Sequence, residues 1–382
     1  MSQPRRRVLY LSGTRADFGL MRRTLLAIAA HPALSVQVAA CGMHLEPAFG
    51  STVDEIEAAG LPVVARIASD VLARDRAGMA RALAQTLLGL TAQLERDRPD
   101  LLLLLGDRGE MLAGATAALH LGIPSVHLHG GERSGTVDEP LRHATSKLAT
   151  WHFTATVQAR ERLIAMGEEP QRVFVVGAPG LDDVGDALHA PRAAVAAELG
   201  LDAQRRWVLV LFHPVVQQAE HAAAQTSELL QGVRDAGGGA DFEVLWLAPN
   251  ADAGSAAVLQ RLDALPGGWQ LRTHLPRAQY LRALRHADAL LGNSSSGIIE
   301  AASFGTAVIN VGLRQHLRER NSGTVDIDAE APAVAAALRA ALGAVRAAPH
   351  NVYGDGNSAN RIASRLAELP LDDSVLLKAN RY

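Results

Sequence analysis

The sequence predicts an α/β protein built as two Rossmann-like, doubly wound halves with a cleft between them, and three observations predict it. Short apolar runs alternate with longer segments of helical spacing along most of the chain. Several runs end in glycine followed by a charged or hydroxyl-bearing residue, as parallel strands do where they open into ligand-binding loops. At 382 residues the chain exceeds one ordinary core and fits two domains.

Residues 8–11 form the first run, entering Gly13-Thr14-Arg15-Ala16-Asp17-Phe18-Gly19 before a helix over 20–30. That loop lacks the Gly-x-Gly-x-x-Gly pattern, which argues against a nicotinamide cofactor. The next strand, 36–40, ends at Cys41-Gly42-Met43-His44, and a third over 61–67 leads to a long helix over 77–96. Pro99-Asp100 then hands over to five leucines, 101–105, followed by Gly106-Asp107-Arg108. Five leucines in succession read as a parallel strand buried on both faces. Asp107 and Arg108 therefore stand at its carboxyl end.

An apolar helix follows, then the strand Ser125-Val126-His127-Leu128-His129 and the turn Gly130-Gly131-Glu132. Asp138-Glu139-Pro140 opens a polar helix carrying Arg142, His143 and Lys147. Strands over 151–154 and 173–176 complete the first half, and Gly177-Ala178-Pro179-Gly180 breaks the pattern. An alanine-rich helix over 190–202 and a strand over 207–212 open the second half. Its further strands are 242–247 before Asn250, one near 270–273, 287–291 before Gly292-Asn293-Ser294-Ser295-Ser296-Gly297, and 308–311 before Gly312-Leu313-Arg314. Gly237-Gly238-Gly239 is a loop tip.

Composition narrows the function. A formal net charge of -3 with 20% charged residues argues against a nucleic-acid binder that relies on a basic surface. The single cysteine, Cys41, excludes an internal disulfide framework and fits a reducing compartment. Arg5, Arg6 and Arg7 resemble a signal n-region, but the apolar run after them ends at Ser12-Gly13, too short for a signal core. No segment reads as a membrane span. The expectation is a soluble cytoplasmic protein.

The segment from Asn293 to Glu300 carries the most specific local signal. A strand running into Ser294, Ser295, Ser296 and Gly297 and then a helix over 298–304 gathers backbone N–H groups, hydroxyls and a helix dipole, which suits phosphate. The plainer reading is that the serines cap the helix. Glu300, one turn in, is either a solvated charge or an acceptor for sugar hydroxyls. His213 follows the 207–212 strand, where a lone histidine is more often structural. Arg15 and Arg314 lie just past strand ends; single arginines default to surface pairing, but their forks suit a diphosphate.

Asp107, His127, His129, Glu132, Asp138 and Glu139 form the acid–base group. In a strand, His127 and His129 point to one face. Histidines with carboxylates nearby suggest a metal, yet no Cys cluster or His-x-x-x-His pair completes a ligand set. Asp138 reads either as a helix N-cap or as a proton carrier. Desolvation pulls Asp107 toward protonation and Arg108 opposes it. Glu139, Arg142, His143 and Lys147 share one helix face by their spacing, either solvated or lining the cleft.

These motifs, with Gly42-Met43-His44, His213-Pro214-Val215, Gly312-x-Arg314-Gln315 and Tyr353-Gly-Asp-Gly-Asn357, resemble in order the hydrolysing UDP-N-acetylglucosamine 2-epimerases of sialic and legionaminic acid pathways. The resemblance implies a glycosyltransferase-B type fold. It places residues 1–180 in a first domain, 181–355 in a UDP-binding domain, and a C-terminal helix over 356–382 returning to the first. It implies conversion of UDP-N-acetylglucosamine and water to N-acetylmannosamine and UDP, through elimination to a 2-acetamidoglucal and its hydration, with no cofactor and no metal.

By matching position, UDP would be held by Arg15, His213, Asn250, Ser294, Ser295, Glu300 and Arg314. His44, Arg108, His127, Arg142, His143, Ser296 and Gly297 complete the expected binding set, and His213 also joins the catalytic group. Asp107, Asp138 and the residue before Gly130 would move protons; that residue is glutamate in some members and His129 here, so the role falls to His129, Glu132 or Asp107. A rival keeps the reaction and takes UDP-N,N'-diacetylbacillosamine. A glycosyltransferase using a UDP-sugar is the alternative of another class. The expected assembly is a homodimer or homotetramer.

Overall fold

The computed structural model describes residues 5–73 and 75–381. The chain divides into two compact units. One comprises Met1–Glu132, Asp138–Asp182 and Tyr353–Tyr382, and the other Arg133–Val137 and Asp183–Val352.

In the first unit the strands are β1 (Arg6–Ser12), β2 (Leu34–Cys41), β3 (Val63–Ile67), β4 (Leu101–Leu105), β5 (Ser125–Leu128), β6 (Trp151–Thr154) and β7 (Val173–Val175). They form one parallel sheet in the order β3-β2-β1-β4-β5-β6-β7. The leucines of β4 alternate between two cores. Leu101, Leu103 and Leu105 pack with the helices Arg15–Ala30 and Ser358–Glu368, whereas Leu102 and Leu104 pack with Arg76–Arg96 and Gly109–His120. Every one is at most 6% exposed, so the apolar run reflects burial on both faces. The order reverses between β1 and β4, which opens a crevice beyond their carboxyl ends, at Ser12 and Leu105.

The second unit repeats the scheme with β8 (Arg206–Leu211), β9 (Phe242–Leu247), β10 (Gln270–Arg272), β11 (Ala289–Gly292), β12 (Ala307–Val311) and β13 (Thr324–Ile327). The parallel order is β10-β9-β8-β11-β12-β13, and the reversal falls between β8 and β11. Gly292 closes β11 at φ 139°, and a Cβ there would lie 2.1 Å from the Leu211 carbonyl oxygen of β8. Only glycine lets these two strand ends approach. The edge strand β13 and the helices Ala222–Asp235 and Ala331–Gly343 add elements that the apolar runs did not mark.

Three boundaries differ from the sequence expectation. The first helix begins at Arg15 and not near residue 20, because Thr14 and Asp17 form a capping box. Strand β5 stops at Leu128, and His129 turns out of it at φ 60°. The C-terminal helix, expected over 356–382, spans Ser358–Glu368, since Leu369 precedes Pro370 and leaves the helical region. Beyond it a turn at Asp373–Leu376 brings Lys378 to 2.6 Å from Glu168. Among the described residues no helix is long and apolar enough to cross a membrane.

Two buried histidines stand side by side in this sheet, His127 on β5 beside His152 on β6. Burial pushes His127 down to about 3, although its ring donates to the Gly106 carbonyl, and burial likewise lowers His152. Burial alone would raise Glu168, but the hydrogen bond from His152 and the neighbouring lysines outweigh it and bring the carboxyl to about 2. All three groups act in one direction. Below about pH 6.5 the unfolded chain takes up protons that buried histidines refuse, and below about pH 4.5 it takes up one that Glu168 refuses, so stability falls with pH.

Melting temperature should therefore decline steadily from pH 6.5 to 3. His127→Gln should flatten the dependence by up to one proton, about 1.4 kcal/mol per pH unit. A profile flat across this range refutes the assignment. Gly292→Ala should destabilise the second unit by about 2–4 kcal/mol. Urea unfolding followed by tryptophan emission reads this, because Trp207, Trp246 and Trp269 lie there; an unchanged midpoint refutes the steric argument.

Candidate active site

In the first unit the candidate residues gather beyond β4 and β5. Gly106, at φ 85°, turns the chain out of β4 and delivers Asp107. Arg142, from the helix Asp138–Leu148, is 1% exposed; it donates to the Asp107 carboxylate and, at 3.1 Å, to the Glu132 carbonyl. The Glu132 carboxylate in turn lies 2.5 Å from Nδ1 of His129, with their side chains 4% and 11% exposed. Asp107, Arg142, Glu132 and His129 are thus one continuous chain of contacts. Arg142 is thus a buried cation against Asp107, and Nε of Arg108 lies 3.4 Å from Glu110.

Asp138 and Glu139 occupy the first turn of the same helix, where the helix dipole favours negative charge. Glu139 and His143 are 3.8 Å apart, one turn along. Lys147, expected on the same face, pairs with Glu168 at 2.7 Å. Arg15 opens its helix beyond β1 with its fork on Glu55, at 3.0 and 2.7 Å.

The second unit assembles the other set beyond β8 and β11. Asn293 is 1% exposed and clamps the His213 backbone, accepting from its N–H and donating to its carbonyl, both at 2.8 Å. Nδ1 of His213 accepts from the Asn250 N–H at 3.1 Å, so in the neutral ring the proton sits on Nε2. Arg314 donates to the Asn293 carbonyl at 3.2 Å. Ser294 caps the helix Ser295–Ile299 by accepting from the Ser296 N–H. Ser296 donates to Glu300 at 2.6 Å and contacts the Tyr280 hydroxyl. Glu300 is buried, with the Arg277 guanidinium at 2.5 Å, so it is not a solvated charge. Gly297 is buried where a Cβ would meet Val308 at 3.1 Å.

Two expected contacts sit deeper. His44 is enclosed, its Nε2 2.9 Å from Ser12 Oγ and its Nδ1 2.8 Å from Thr52 Oγ1. His127 is enclosed likewise, between the Gly106 carbonyl and Ser146 Oγ. The two histidines of the 125–129 segment do not share a face, because His129 has left the strand. Both enclosed rings brace the loops that carry Arg15 and Asp107.

Asp17, Asn293, Arg277 and Tyr280 were not among the expected site residues. Asp17 accepts from the Gly13 and Thr14 N–H groups at 2.9 and 2.6 Å, and the Thr14-x-x-Asp17 spacing signals it. Arg277 has no local signal. Among the described residues no group of three or more His, Cys, Asp or Glu has a metal-binding arrangement. A surface cavity of about 490 Å³ beside β3 and another of about 350 Å³ under the Ala331–Gly343 helix contain none of these residues.

The sequence matches the family model described as UDP-N-acetylglucosamine 2-epimerase over residues 26–367. It is 41% identical, over 99% of its length and 100% of the relative's, to a protein of Legionella pneumophila named UDP-N,N'-diacetylbacillosamine 2-epimerase (hydrolyzing). A UDP-N-acetylglucosamine 2-epimerase of Neisseria meningitidis is 29% identical over 92% of both chains. In fold the chain is similar to the crystal structure of UDP-GlcNAc 2-epimerase from Neisseria meningitidis bound to UDP-GlcNAc, with a TM-score of 0.78 and 17% identity over 95% of this chain and 100% of that one. Two doubly wound parallel sheets carrying those motifs in order, with a family match over most of the chain, lead to one conclusion: the protein belongs to the UDP-N-acetylglucosamine 2-epimerase family.

Proposed function

We propose that the protein is a hydrolysing 2-epimerase that takes a UDP-linked 2-acetamido sugar and water to UDP and the free sugar inverted at C2. One observation carries the reading: Asp107, Arg142, Glu132 and His129 form a single contact chain beyond the carboxyl ends of β4, which borders the switch point, and β5. A base there removes the C2 proton while UDP leaves C1 with the bonding electrons, giving a 2-acetamidoglucal. Water then adds its oxygen to C1, and a proton returns to C2 on the opposite face.

His129 is the proton carrier in this scheme, and Glu132, on Nδ1, orients its ring so that Nε2 exchanges the proton. Asp107 and Asp138 serve the second transfer. His213, Asn250, Ser294, Ser295, Glu300 and Arg314, all of the second unit, hold UDP. No cofactor or metal enters the scheme.

The sequence pointed to UDP-N-acetylglucosamine first and to UDP-N,N'-diacetylbacillosamine as its rival. The 41% likeness to a relative named for the diacetamido sugar, against 29% to one named for UDP-N-acetylglucosamine, supports reversing that order. A role in legionaminic or sialic acid synthesis, a cytoplasmic location and a homodimer or homotetramer, read by light scattering, belong to the same proposal.

Incubation with each UDP-sugar in deuterium oxide, without acceptor, should release UDP and a free 2-epimerised sugar carrying deuterium at C2, faster from the diacetamido substrate. Faster turnover of UDP-N-acetylglucosamine by NMR assigns that sugar instead, and no turnover of either sinks the reading, as would a requirement for an acceptor. His129→Ala should lower kcat by about 10²–10⁴-fold while calorimetry finds UDP affinity within about two-fold. Unchanged turnover removes His129 from the proton chemistry.

A further inference from the structure

The helix Asp138–Leu148 ends without the glycine that commonly closes a helix; Ala149 and Thr150 lead straight into β6. Carbonyls at that end are taken instead by a lysine distant in sequence. Nζ of Lys378 lies 3.0 Å from the Ser146 carbonyl, 3.0 Å from that of Lys147 and 2.8 Å from that of Ala149. The same ammonium is 2.6 Å from Glu168 Oε2. From the helix itself, Lys147 reaches Glu168 Oε1 at 2.7 Å and the Met166 carbonyl at 3.1 Å, and it also donates to Asn380 of the tail. His152 donates to the same carboxylate at 2.8 Å.

The Glu168 side chain is 0% exposed and that of Lys378 14%, so this is no surface pair. An ammonium has three N–H donors, and three carbonyls with a carboxylate absorb all of them. Positive charge at a helix C-terminus is favoured by the dipole. Buried ion pairs add little stability over apolar packing, and fixing one geometry is their better-supported use.

The other end of this helix carries the acid–base residues. Its 11 residues make a rod of about 16 Å, with Asp138 and Glu139 in the first turn and Arg142 on Asp107. We infer that Lys378 is a positioning residue for the reaction: by capping the last turn of the 138–148 helix, it sets where Arg142 meets Asp107 and where Asp138 stands. The tail beyond Pro370 is thus a clamp on the acid–base helix. Its effect on turnover rests on the proposed reaction; the clamp itself is legible in the helix.

The test compares Lys378→Met and Lys378→Arg in the full chain with wild type. Lys378→Met should lower kcat about ten-fold or more, with KM and UDP affinity within about two-fold, and Lys378→Arg should recover most of the loss. In hydrogen exchange, the amides of Arg142, His143 and Ala144, whose helical bonds reach back to the carbonyls of the first turn, should exchange about ten-fold faster in Lys378→Met. Exchange unchanged at those amides overturns the inference, and so does a kcat loss matched by an equal loss of UDP affinity, which marks general destabilisation. If Lys378→Met does not fold, Lys378→Gln, uncharged with two N–H donors, takes its place with the same expected and overturning results. Should wild type act on neither UDP-sugar, the proposed reaction fails while the exchange result still decides the clamp.

Discussion

Arg142 is a guanidinium at 1% exposure that cannot shed its charge, so its surroundings must answer it. The desolvation of such a group amounts to several kcal/mol unless a carboxylate and further acceptors meet it. Asp107 and the Glu132 carbonyl do so, and in meeting it they tie three elements together. The turn after β4, the turn after β5 and the 138–148 helix share one fixed point. His129 and Glu132 hang from that point, which is why the candidate acid–base residues keep one geometry although they come from separate loops.

The same economy of means appears behind the other loops. Asp17 gathers the Gly13 and Thr14 N–H groups, and His44 braces Ser12 from beneath. In the second unit Asn293 performs the equivalent task for His213, taking both backbone groups of one residue with one amide. Each of these loops is thus held by a buried side chain whose polar atoms are hydrogen-bonded, Asn293 to backbone, Asp17 to backbone and hydroxyls, and His44 to the Ser12 and Thr52 hydroxyls, as buried polar groups require. Some of the residues that hold these loops in place, such as Asp17 and Asn293, differ from the candidates for chemistry, and a sequence does not by itself separate the two groups.

That division explains what was legible. The strands could be read because burial on both faces leaves an apolar run, as in the leucines of β4, and the loops because glycine and charge follow such runs. The edge strand β13 escaped, since two of its four residues are exposed and its composition is half polar. The early start of the first helix was legible in principle, through Thr14 and Asp17. Histidines misled: His44 and His127 have the composition of a site and the burial of a core, and nothing local tells a ring that meets solvent from one enclosed by Ser12, Thr52 or Gly106. Arg277 was invisible for the converse reason, because its partner Glu300 lies 23 positions away and only the fold joins them.

His129 carries a consequence of another kind. Its φ of 60° is a conformation that glycine adopts freely and that strains a residue with a Cβ by about 1 kcal/mol. Selection for stability alone would drift this position toward glycine or asparagine, which relieve the strain and still allow the turn into Gly130 and Gly131. This chain carries a histidine there all the same. A single torsion angle thus sets a small cost, in stability, on holding an imidazole at that corner.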